Sequence, residues 1–87
     1  MAWLVLDGFP LVFTADDLQR LCRPYGTVLR THVVTMPDGT SLGYGRVEMA
    51  SEAEADAACR GLDGQVVANH LLSARRIHGE QANRSVQ

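Results

Sequence analysis

The chain has 87 residues, 46% hydrophobic and 21% charged, which suits one small folded domain and is too apolar for a disordered chain. No run reaches the ~18 apolar residues of a membrane helix. The opening Met1-Ala2-Trp3-Leu4-Val5-Leu6-Asp7 lacks the basic leader of a signal peptide, so a cytoplasmic location and no membrane contact are expected. Net charge is −2, with eight Arg and no Lys; the total disfavours phosphate, yet every basic side chain can also stack on a flat ring.

Trp3 to Gly8 is a short apolar run closed by Gly8-Phe9-Pro10, which predicts a strand and a turn. Thr14 offers an N-cap with Asp17 at its capping-box position. Leu18, Leu21, Cys22 and Tyr25 recur at helical spacing, and Pro24 and Gly26 end that helix. Thr27 to Thr35 is rich in β-branched residues and predicts a second strand. Met36-Pro37-Asp38-Gly39-Thr40 is a hairpin turn in which Asp38-Gly39 suits the positive-φ positions.

The third strand spans Ser41 to Met49. Ser51 and Glu54 form a capping box for a second helix with Ala55, Ala58, Cys59 and Leu62 as its apolar stripe, stopped by Gly61. Val66-Val67 and then Leu71 to Ile77 supply a last strand, with room for a short extra hairpin before it. The domain is therefore expected over residues 1–77, with a polar tail over 78–87.

Cys22 and Cys59 have no Cys-x-x-Cys spacing, and His70 and His78 do not complete a zinc set, so no metal or other cofactor is expected. Both thiols are expected as small buried hydrophobes in a reducing compartment. The element order strand, helix, strand, strand, helix, strand is that of an α+β ferredoxin-like βαββαβ sandwich. Its four-stranded antiparallel sheet carries both helices on one face and leaves the other open.

Period-two alternation in the third strand puts Gly43, Gly45, Val47 and Met49 on one side. Leu42, Tyr44, Arg46 and Glu48 fall on the other, where a ring beside a guanidinium suits base stacking and phosphate neutralisation. Leu42-Gly43-Tyr44-Gly45-Arg46-Val47-Glu48-Met49 resembles the octapeptide of the RNA-recognition motif, and Leu4-Val5-Leu6-Asp7-Gly8-Phe9 its hexapeptide. Leu18-Gln19-Arg20-Leu21-Cys22-Arg23-Pro24-Tyr25-Gly26 resembles that family's first helix, and Ala58-Cys59-Arg60-Gly61-Leu62-Asp63-Gly64 its second. His70-Leu71-Leu72-Ser73-Ala74 falls where its last strand is expected, so the resemblance covers residues 3–77.

The resemblance implies binding of single-stranded RNA on the open sheet. Of the family's three stacking positions Tyr44 keeps one, while Val5 and Arg46 replace the other two rings. Trp3, two residues before Val5, could supply a displaced platform or merely cover the sheet edge. Strand parity adds Asp7, His32, Val34, Leu42, Glu48, Ser73 and Arg75 to that face, with Arg30 and Arg76 nearby and Asp16, Asp17, Glu52, Glu54 and Asp56 on the helix side. The residues expected to contact RNA are Tyr44, Arg46, Trp3, Val5, Asp7, His32, Leu42 and Arg75.

The alternative is a protein partner docked on the same face, where Val5, Val34 and Leu42 leave an apolar patch. The Arg-x-Phe loop motif of peptide-binding family members does not follow the second helix. Catalysis is not expected. His32, His70 and His78 have no nucleophile at a recognisable motif, and Gly43-x-Gly45 lies within a strand instead of opening a helix.

Overall fold

Alternating burial over Ala2–Asp7 makes β1, with Ala2, Leu4 and Leu6 turned inward. In this computed structural model, which describes residues 2–77, α1 (Ala15–Cys22) follows. Thr14 caps it reciprocally with Asp17: the Asp17 amide donates to the Thr14 hydroxyl at 3.4 Å, and the Thr14 amide to the Asp17 carboxylate at 2.8 Å. A 3₁₀ turn at Arg23–Tyr25 carries the chain into β2 (Val28–Thr35). In the turn to β3 (Ser41–Met49) the Gly39 amide donates to the Met36 carbonyl, and only Gly39 takes positive φ; Asp38 does not.

α2 (Glu52–Leu62), β4 (Val66–Val67), β5 (His70–Leu71) and β6 (Ser73–Ile77) complete the order. The main sheet runs β2-β3-β1-β6 with every pairing antiparallel, and β4 and β5 form a separate small hairpin. Leu4, Leu6, Val47 and Met49 from the sheet meet Leu18 and Cys22 of α1 and Ala55, Ala58 and Leu62 of α2 in one core. The inner side of the sheet is thus consumed by packing and the outer side is free of helices. The tail expected from His78 onward lies outside the described residues.

Three details of α2 differ from the sequence expectation. Gly61 does not stop the helix, which runs on to Leu62 with Asp63 as its C-cap. A Cβ at position 61 would overlap the Tyr25 ring, so this glycine permits a close helix-to-turn approach. The capping box is only half made. Ser51 accepts from the Glu54 amide at 3.2 Å, but the Glu54 side chain packs over Gly26 and its Oε1 has no partner among the described residues. Cys59 also departs from expectation, being half-buried where Cys22 is fully buried.

Candidate nucleic-acid interface

The register of the sheet arranges the outward side chains in three rows. Tyr44, Asp7 and Ser73 lie opposite one another across β3, β1 and β6. His32, Arg46, Val5 and Arg75 form the next row, running through all four strands. Arg30, Glu48, Trp3 and Ile77 form the third. The middle row holds two guanidiniums and an imidazole, and each flanking row holds one aromatic ring.

Backbone chemistry sets these positions. Gly45 turns inward beneath β2, where a Cβ would strike the His32 carbonyl, so the close approach that sets His32 opposite Arg46 depends on the missing side chain. A register shift between Val28 and Arg30 brings Arg30 opposite Glu48. A second shift between Val33 and Thr35 leaves Val34 without a register partner, and Val34 is half-buried.

Tyr44 is 39% exposed near the sheet centre. Trp3 and Val5 are half-buried, whereas Asp7, His32, Leu42, Arg46, Ser73 and Arg75 are exposed. The Arg46 guanidinium lies 5.7 Å from the centroid of the Trp3 ring, within cation–π range. Trp3 is therefore engaged with the sheet face itself. Tyr44 and Trp3 stand two rows apart, about 13 Å along the strands. That is too far to clasp one flat group between them, so the two rings are separate surfaces.

Two expectations are corrected here. Glu48 has the outward parity foreseen for it but is only 1% exposed, with Arg30 Nε 3.3 Å from its Oε1. Arg76 does not serve the open face. Its side chain turns to the helix layer, where it hydrogen-bonds Glu52 and Asp56 of α2 and donates from Nε to the Trp3 carbonyl at 3.2 Å. Burial opposes its charge, but the hydrogen bonds and charges of Glu52 and Asp56 outweigh that and raise its pKa. Arg30, foreseen only as a neighbour, belongs fully to the open face; its signal was the two-residue spacing to His32.

A family model for the RNA recognition motif matches residues 4–73. The spliceosome associated factor 3, U4/U6 recycling protein, of Danio rerio is 34% identical over 70 residues, which are 80% of this chain and 7% of that protein. The putative RNA-binding protein RbpE of Nostoc sp. is 44% identical over 64 residues, 72% of this chain and 65% of that protein. This chain thus matches a small part of the first relative and just under two thirds of the second.

Among solved structures, RNA binding protein PG1 superposes with a TM-score of 0.85 at 27% identity, over 88% of this chain and 94% of the other. The Rna15 RRM solved with bound RNA (GU) has the same fold, with a TM-score of 0.78 at 22% identity over 98% and 97% of the two chains. The family match covers most of the chain, and the strand order and helix placement agree with these neighbours. On that evidence the chain belongs to the RNA recognition motif family.

Proposed function

We propose that this protein binds single-stranded RNA on the open face of its sheet, as a binding module and not as an enzyme. Tyr44 and Trp3 each stack one base, and His32, Arg46 and Arg75 between them meet phosphate or a base plane. Asp7, Val5 and Leu42 complete the floor and rim of that surface. The observation that carries this reading is the cationic row flanked on each side by an aromatic row. Family membership supports it, as do relatives whose names describe RNA-binding proteins.

The test is Tyr44→Ala measured by fluorescence anisotropy with a pool of short single-stranded RNAs. The ring is exposed and adds little to the core, so thermal unfolding stays close to wild type. Affinity falls by ~1–3 kcal/mol, the usual worth of one base stack. Unchanged RNA affinity in a folded variant would overturn stacking on this sheet. It would favour a protein partner on the same surface, where Leu42 is exposed.

A further inference from the structure

Glu48 is the buried charged residue among those described, and its place is unexpected for one. Its outward parity sets it between Trp3 on β1 and Arg30 on β2, at the Trp3 end of the proposed RNA surface. One carboxylate oxygen faces the Arg30 guanidinium at 3.3 Å. The other, Oε2, has no hydrogen-bond partner among the described residues. A buried carboxylate with an unused acceptor costs folding free energy, and nothing in the packing of the sheet requires a charge there.

We infer that Glu48 reads the base seated at Trp3, accepting a hydrogen bond from an exocyclic amino group and so favouring adenine, cytosine or guanine over uracil. The inference rests on the RNA-binding reading above. A carboxylate only accepts. Cytosine, adenine and guanine each carry an amino group that donates, and cytosine N4 to a carboxylate is a known base contact. Uracil offers one imino N–H between two carbonyl oxygens, both repelled by the carboxylate.

The cation facing the carboxylate is that of Arg30. That side chain is 72% exposed, so the Arg30 end of its ion pair with the buried Glu48 carboxylate is open to solvent. A backbone phosphate can take the guanidinium over, and the base amino group then takes its place on Glu48. Each charge keeps a partner through the exchange.

The experiment compares short oligo(C) and oligo(U), two pyrimidines alike in size, binding to the 87-residue chain. Wild type binds oligo(C) about tenfold more tightly, the worth of one hydrogen bond to a charged group. Glu48→Gln, which keeps the shape but adds a donor, brings the ratio towards one. Independently of any variant, oligo(N4,N4-dimethylcytidine), which lacks the amino N–H groups, falls to the level of oligo(U). Equal binding of oligo(C) and oligo(U) by wild type overturns the inference while leaving RNA binding intact. So does a folded Glu48→Gln that keeps the ratio, or full affinity for the dimethylated oligomer. Binding to no RNA at all removes the RNA reading and this inference with it.

Discussion

Cys22 sits in the core beneath the sheet, and burial, with Cys59 as a lesser contributor, pushes its thiol up to about 12. Burial also raises Cys59, against the pull of the Arg76 charge. In the unfolded chain a thiol ionises near pH 8.5, so alkali draws protons from the unfolded state first. The contribution of Cys22 is full below that pH and is lost as pH climbs towards 12. The stability advantage of wild type over Cys22→Ala in urea should therefore shrink between about pH 8 and pH 10. At neutral pH a thiol reagent should reach Cys59 well before Cys22, which stays unlabelled until denaturant is added. Rapid labelling of Cys22 in the native protein would contradict its placement. The exposure of Tyr44 was legible from alternation alone, because inward glycines on either side fix the parity. The burial of Glu48 was not: alternation assigns it to the open face, and only the sheet register sets it between Trp3 and Arg30.

At the level of single elements, β6 divides its two arginines between opposite duties. Arg75 is exposed in the cationic row, whereas the Arg76 side chain is 12% exposed and ties β6 to α2 and to the β1 backbone. Arg76→Met, which keeps the apolar stem, should lower stability by ~1–2 kcal/mol, discounted because both carboxylates are largely solvated. It should leave RNA affinity within about twofold, while Arg75→Ala does the reverse. Chemical denaturation and anisotropy on the two variants check this, and equal losses of affinity would mean that Arg76 faces the ligand after all. Neighbouring strand residues must point to opposite faces, so that division was implicit in the sequence. Its meaning was hidden until the α2 residues Glu52 and Asp56, four apart on one helix face, were set against β6. The end of α2 was misread for a similar reason. Gly61 signals a stop by composition, but the space it frees is occupied by Tyr25 from a distant segment.

Over the whole molecule, a chain of net charge −2 places Arg30, Arg46 and Arg75 on the side without helices. The acidic first turns of both helices, Asp16 and Asp17 in α1 and Glu52 and Glu54 in α2, belong to the other layer. The local field at the surface governs binding more than the total does. Three phosphate contacts on a single strand predict a slope of about −2 in log K against log salt. Arg46→Glu should flatten that slope by about one unit, and duplex RNA should bind poorly because its bases already stack on one another. An unchanged slope would show that Arg46 meets no phosphate. The topology was legible from the order of periodic segments, since βαββαβ admits few antiparallel arrangements.

Because the outward rows share no side chain with the core, this surface can drift in sequence without unfolding the domain that carries it. Val5 is the clearest instance, lying between Arg46 and Arg75 with its inward neighbours Leu4 and Leu6 already holding the strand. A single codon change there to an aromatic would lay a third ring between Tyr44 and Trp3. On the proposed RNA-binding reading, the same scaffold would then pass from a short, weakly gripped ligand to a longer one, and selection could move in either direction at little structural risk.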